Sequence, residues 1–296
     1  MRRPDTTALL VFALVVIVGG SNFVAVRFSN RELPPFLGAG IRFAAASLLL
    51  LLLARAMGLR LPRGRDLAAA FAFGTVNFGV TYALIYWALQ TAPAAAASTF
   101  VALTPLLTFL GAVALGDERF RWSGVAGGLI AVAGIGVIFY EQIHAIAIGP
   151  LIALALQAVA IASGTIWAKR LPRAHPVSTN AVAMVPGAAL LLALAAIARE
   201  PATLPVRVET WVALGYLVVS SAVLFVGFFY VIRRWTASAA AYATVLFPVV
   251  TLAVGAALAN EPIAMAFVVG TLLVMLGVYV GALSRAPVPL ARPSVT

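Results

Sequence analysis

Apolar residues in this chain come in long blocks, and the polar residues between them are few and clustered. About 20 apolar residues in helical form cross the hydrocarbon layer of a bilayer. That ruler predicts ten helices, near residues 7–28, 35–57, 67–90, 93–115, 122–140, 150–169, 177–198, 210–233, 236–258 and 264–284. The loops between them are short, and no stretch reads as a soluble domain. The start, Met1 to Asp5 followed by an apolar run from Ala8, mimics a secretory signal. The run continues through Val26 without a convincing small-x-small cleavage site, so it is expected to remain as the first membrane helix. The tail from Pro287 to Pro293 reads as unstructured.

The pattern is written twice. A shift of 143 places lays residues 94–137 on 237–280 without a gap, with 14 identities in 44 pairs. Ala, Leu, Val and Gly recur by chance in so apolar a chain. The weight therefore rests on Pro105 with Pro248 and Glu118 with Glu261, joined by Gly127 with Gly270 and Gly134 with Gly277. A shift of 142 extends the match more weakly to helices 1 and 6, placing Ser21 on Ser163, Arg27 on Lys169 and Pro34 on Pro176. The expected repeats are 7–140 and 150–284. Each holds five helices, an odd number, so the second enters the membrane from the opposite side. The expected fold is an all-α integral membrane protein of ten transmembrane helices in two inverted five-helix repeats.

Composition supports the lipid solvent. The 296 residues are 63% hydrophobic and only 10% charged, where a soluble domain carries about 25% charged residues. A net charge of +11 raises nucleic acid as a partner, but the basic residues sit in short loops rather than on a polar domain, which excludes it. Those loops set the orientation. With the N-terminus inside, 15 of the 20 basic residues are cytoplasmic, Arg27, Arg31, Arg199 and Arg207 are outside, and Arg42 lies within helix 2. The positive-inside rule thus places both termini in the cytoplasm. Trp87, Trp122, Trp167, Trp211 and Trp235 fall near helix ends, as an interfacial aromatic belt requires. The chain has no cysteine, which removes disulfides and thiolate chemistry. Its two histidines, His144 and His175, sit at helix ends, where a solvated side chain is the plain reading and a metal or proton role the sharper one. No cofactor or metal is expected.

All nine acidic residues lie at or outside helix ends. Intramembrane proton relays rest on Asp, Glu or His, so no coupling residue is evident and a strongly cationic solute would find no buried counter-charge. Arg42 is the one ionised group well inside a helix. Three roles stand open for it: binding a substrate carboxylate, snorkelling outward, or satisfying the carbonyls of a neighbouring helix. Pro105 and Pro248 each remove a backbone donor in mid-helix, freeing the carbonyls of Val101 and Thr244. Each is either a moving hinge or a static packing kink. Glu118 and Glu261 precede helix starts, where a carboxylate favours the helix N-terminus; a gating or proton role is the alternative. The glycines of helices 5 and 10 favour close packing, as scaffold or dimer contact. Uncharged polar and aromatic side chains remain to build a site: Asn22; Asn77, Thr81, Phe78, Tyr82 and Tyr86, with the last three four apart on one helix face; Ser98, and Thr99 with its repeat mate Tyr242; Gln157, Ser163 and Trp167; and Phe225, Phe229 and Tyr230. Such a lining suits a small, net-neutral, amphipathic solute; for each residue alone, interhelical hydrogen bonding or packing is the bland reading.

At these residues the chain resembles EamA-type proteins of the drug/metabolite transporter superfamily. The resemblance is carried by Arg42-Phe43, the run from Tyr86 to Leu89, Ala94 to Ser98, Leu103 to Leu106, the Glu118 turn, Gly127 and Gly134, then Ala237 to Ala241, Phe247-Pro248, Glu261 and Gly270. It covers essentially the whole chain. It implies a ten-helix transporter with helices 1, 3, 4, 6, 8 and 9 around a central cavity and 5 and 10 at the periphery. The expected function is export of neutral or zwitterionic amino acids and related small metabolites by alternating access, from a bacterial inner membrane, as a monomer or weak homodimer. Drug or toxic-compound efflux is the alternative, opposed by the missing carboxylates. An intramembrane enzyme would need paired mid-membrane Asp, or Ser with His, and neither is present.

Overall fold

The computed structural model describes residues 6–116, 120–142, 147–168, 171, 174–234, 237–259 and 264–283, except for the side chains at 138–142, 232–234, 237–242 and 282–283. Glu118 and Glu261 lie outside these residues, as does the side chain of Tyr242. Among the described residues there are ten helices: α1 Thr6–Ser29, α2 Pro35–Ala56, α3 Arg65–Ala88, α4 Ala94–Ala114, α5 Trp122–Gln142, α6 Ile148–Ala168, α7 Pro176–Ile197, α8 Val208–Arg234, α9 Ala237–Ala259, and α10, which runs from Met265–Val278 into a π-helical turn at Tyr279–Leu283. No end departs from its sequence-based position by more than two residues. Seven helices have the length and apolar composition to cross a membrane, and α5, α9 and α10 are apolar over shorter stretches. Large aliphatic side chains such as Leu48, Leu52, Leu129 and Leu258 project outward, a surface that suits lipid rather than water.

Packing runs between the halves rather than within them. The main helix pairs are α2 with α7, α5 with α10, α4 with α9, α1 with α8 and α9, α6 with α3 and α4, α3 with α7, and α8 with α2. Exchange each helix for its counterpart five places along, and the pairs map onto one another. Glycine makes the tightest of these contacts possible. A Cβ on Gly134 would stand 2.6 Å from the carbonyl oxygen of Gly270, and one on Gly277 would stand 2.5 Å from that of Gly127. These four glycines are two pairs of repeat mates, so the α5–α10 seam meets itself across the exchange. Without side chains the two backbones close on each other, which is how helices associate in lipid.

Two helices depart from regular form. α3 contains a π-helical turn at Thr75–Val80, a feature often found at functional sites. The hydroxyls of Thr75 and Thr81 donate to the carbonyls of Phe71 (3.0 Å) and Val76 (3.0 Å), which helps satisfy the distorted stretch. Gly74 and Gly187 let this turn press on α7: a Cβ at Gly187 would lie 2.5 Å from Cβ of Phe78. α4 is interrupted at Leu103, dividing it into Ala94–Ala102 and Thr104–Ala114, with Pro105 in the first turn of the second piece. Across its apolar window α4 is 72% buried, against 39% for α3 and α6, so its interrupted backbone is enclosed by protein rather than lipid.

At one end of the bundle the halves cap each other. The carboxylate of Glu32, in the α1–α2 loop, accepts from the backbone N–H groups of Val206 and Arg207 and from the Thr210 hydroxyl (2.6 Å), at the start of α8. The carboxylate of Glu200, after α7, accepts from the N–H groups of Phe36 (3.2 Å) and Leu37 (2.8 Å), at the start of α2. Helix starts leave unpaired N–H groups and favour negative charge; here each half supplies the carboxylate for the other. Arg199 takes a left-handed φ of 54° to turn the chain toward Glu200. The Thr210 hydroxyl, followed by the backbone donors, holds the Glu32 carboxyl below its ordinary value of 4.5.

Candidate functional site

The helices enclose a cavity of about 110 Å³ in the middle of the bundle. Its walls come from α1, α3, α4, α6, α8 and α9, joined by Arg42 of α2. Both halves contribute. Val101 and Thr244, four residues before the two prolines and repeat mates themselves, line it from α4 and α9.

The π-helical turn decides what α3 presents. Asn77 lies inside that turn and reaches the cavity together with Phe73, Thr81, Tyr82 and Ile85. Asn77 has room because α6 carries Gly164 opposite: a Cβ there would stand 2.5 Å from the Asn77 Oδ1. Phe78 sits in the wall behind, with ring centroids 4.7 Å from Phe225 and 5.3 Å from Phe43. Tyr82 stacks edge-on against Phe43 at 4.5 Å, an arrangement that adds about 0.5–1.5 kcal/mol to area burial. The floor is thus a fixed aromatic cluster in which Phe43, Phe78, Tyr82 and Phe225 pin one another.

Arg42 is fully buried. It does not snorkel, and among the described residues it bonds no carbonyl. Its Nε donates to the Ser221 hydroxyl at 2.8 Å and its Nη1 to the Tyr86 hydroxyl at 3.3 Å. The guanidinium carbon lies 5.1 Å from the ring centres of both Phe43 and Tyr82, within cation–π range. Nη2 has no partner, and Arg42 makes no ion pair among the described residues. Next to Ser221, the Ser220 hydroxyl donates to Asn22 Oδ1 at 2.7 Å, and Asn22 Nδ2 is likewise buried without a partner. From α6, Gln157 offers a buried, unpartnered Oε1 to the same cavity. Three orphan polar atoms therefore sit on residues lining one space: two donors on residues bonded to α8 and one acceptor on α6. Buried polar atoms are ordinarily paired; of the ten buried side-chain atoms without a partner among the described residues, these three belong to cavity-lining residues.

Of the residues singled out in the sequence, Asn22, Asn77, Thr81, Tyr82, Gln157, Phe225, Phe229 and Arg42 meet at the cavity. Phe78 and Tyr86 stand behind its wall. Thr99 bonds the Ala95 carbonyl and faces Thr271 of α10 at 3.2 Å, away from the cavity. Ser163 donates to its own helix at the Val159 carbonyl and is exposed, and Trp167 faces outward at the end of α6. Phe73, Phe228 and the Ser220-Ser221 doublet were not singled out. The doublet carried a signal, two adjacent hydroxyls in the middle of a 27-residue apolar helix.

The model of the EamA-like transporter family matches residues 6–140 and 148–282. Among curated proteins, the chain is 27% identical over 257 residues to the Uncharacterized inner membrane transporter YedA of Escherichia coli (strain K12), covering 85% of this chain and 82% of that one. It is 28% identical over 301 residues to the Probable amino-acid metabolite efflux pump of the same strain, covering 95% of each. A crystal structure at 23% identity superposes with a TM-score of 0.69 over 94% of this chain and 98% of that one, which shows a shared fold. With two matches that together span nearly its whole length, each a five-helix half of the fold described above, the chain belongs to the EamA-like transporter family.

Proposed function

We propose that this transporter exports neutral or zwitterionic amino acids and related small metabolites across a bacterial inner membrane by alternating access. The observation that carries the reading is the cavity itself: an aromatic chamber at the junction of the two halves, supplied, among the described residues, with uncharged amides and one guanidinium and with no carboxylate. A positively charged solute would meet Arg42 unopposed there, which argues against toxic-cation efflux. The names of the inner-membrane transporter and the amino-acid metabolite efflux pump to which the chain is similar point the same way.

The halves act as inverted repeats, with both termini in the cytoplasm. Five helices per half and basic loops concentrated on one side support this arrangement, and the self-mapping α5–α10 seam gives it an axis. Rocking the halves about that axis exposes the cavity to one side and then the other. Pro105 and Pro248, just beyond Val101 and Thr244 in the cavity wall, supply the bending points.

The test is uptake of labelled L-leucine and other neutral amino acids into proteoliposomes, with and without a pH gradient. Saturable flux that the gradient leaves unchanged is the expected result, since no described acidic side chain lies in mid-membrane to couple it. Absence of flux for every neutral amino acid tried would overturn the reading.

A further inference from the structure

We propose that Arg42 is the carboxylate receptor of the central cavity, its unpaired Nη2 binding the carboxylate of the carried solute. The assignment rests on the amino-acid reading above and names the group that such a solute presents.

A guanidinium this deep in a membrane protein is costly, and buried charges are normally paired. Arg42 is held by neutral partners alone. Ser221 fixes Nε, Tyr86 fixes Nη1, and the rings of Phe43 and Tyr82 flank the guanidinium carbon. The side chain is thus oriented without being neutralised. One buried nitrogen remains unpartnered on a residue that lines the cavity. A structural arginine would have ended on a carboxylate or on helix carbonyls; this one keeps a buried nitrogen with no partner among the described residues. The missing partner is an anion, and a carboxylate accepts hydrogen bonds in the plane a guanidinium offers.

The neighbouring orphans extend the match. Asn22 Nδ2 adds a second free donor, because Asn22 and Arg42 are bonded to adjacent serines of α8. Gln157 Oε1 supplies a free acceptor from α6, suited to an ammonium group. Donors and acceptor on different helices reproduce the polarity of a zwitterion. The cavity's 110 Å³ is of the same order as the roughly 150 Å³ that admits benzene in an engineered protein core, so the carried solute is a small one. Repeat symmetry sharpens the point: position 42 corresponds, at the shift of 142, to Met184 in α7, which is fully buried and apolar. The cavity therefore carries one anchor, suited to one acid group.

The experiment compares ligands before variants. Detergent-solubilised wild-type protein is heated with L-leucine, with 4-methylpentanoate (carboxylate without ammonium), with L-leucinamide (ammonium without carboxylate) and with isopentyl phosphate. Leucine and 4-methylpentanoate are expected to raise the unfolding temperature, and leucinamide is not. The same ligands are then used to compete for leucine uptake. Arg42→Gln should weaken leucine binding about tenfold or more, as expected for loss of a charge-assisted hydrogen bond, while Arg42→Lys retains part of it. Equal stabilisation by leucine and leucinamide, or a stronger effect of the phosphate, overturns the assignment whether or not the Gln variant folds. No stabilisation by either carboxylate overturns it as well. Binding of 4-methylpentanoate without transport of any amino acid leaves Arg42 as the receptor and removes the amino-acid reading instead.

Discussion

The two halves carry the same proline and treat it differently. α4 is interrupted at Leu103, just before Pro105, whereas α9 passes Pro248 as one helix. The neighbours account for the difference. α9 lies against Gly19 and Gly20 of α1, where a Cβ on Gly20 would stand 2.8 Å from the carbonyl oxygen of Phe247. At that contact the Thr251 hydroxyl bonds the carbonyls of Gly20 (2.8 Å) and Phe247 (2.9 Å). α6 takes the place of α1 beside α4, and the residues corresponding to the glycine pair are Ile161 and Ala162. Both carry a side chain where α1 has none. Thr108, the mate of Thr251, is buried with its hydroxyl unpartnered. A proline thus sets where a helix can give way, and the packing beside it sets whether it does.

That comparison can be broken at its cause. Gly20→Leu places a branched side chain against the α9 backbone and should cost about 3 kcal/mol or more, read as loss of monodisperse protein or a large fall in unfolding temperature. Pro105→Ala should let α4 run as one helix, because it restores the backbone donor that proline lacks and removes the ring that blocks the preceding turn. We expect higher stability with at least about a tenfold loss of transport, equivalent to about 1.4 kcal/mol on the transport barrier. Pro248→Ala, in a helix already continuous, should change transport much less; equal losses in the two variants would remove the asymmetry.

Thr251→Val should destabilise by about 1 kcal/mol, the usual worth of a hydrogen bond. Thr108→Val should be neutral or stabilising, since it replaces a buried hydroxyl that has no partner. A thermal-unfolding comparison of the two checks the claim that only one threonine is engaged. The smallest effect belongs to the crossed caps. The Glu32 carboxyl titrates below 4.5 in the folded protein, so the stability it adds is present above that value and lost as pH falls through its lower folded value. Glu32→Gln should abolish this part of the acid dependence while leaving stability at pH 7 little changed, as measured by unfolding between pH 3 and pH 7.

Helix number and position were legible because lipid thickness sets the length of an apolar run, and prolines and basic residues mark the ends. The cavity was legible only in part. Spacing of four placed Phe78, Tyr82 and Tyr86 on one face, but the π-helical turn at Thr75–Val80 alters the register, so Asn77 and Thr81 line the cavity with Tyr82. That turn depends on contact with α7 at Gly187, distant in the sequence. Ser163 was indistinguishable from Gln157 in an apolar helix; the short hydroxyl satisfies itself on the preceding turn and faces outward, and the longer amide points in. Arg42 turns inward to Ser221, 179 positions away. Long-range partners of this kind leave no local trace.

The interleaved packing has a consequence for biogenesis. α1 finds its main neighbours in α8 and α9, α2 in α7, and α5 in α10. During synthesis the first five helices reach the bilayer before those neighbours have been translated. They wait there with Gly127 and Gly134 bare and Arg42 without Ser221, a nascent surface exposed to lipid and to other membrane chains. Assembly is therefore governed by the last helices to emerge, and truncation anywhere before α10 leaves an orphaned insertion product for membrane quality control.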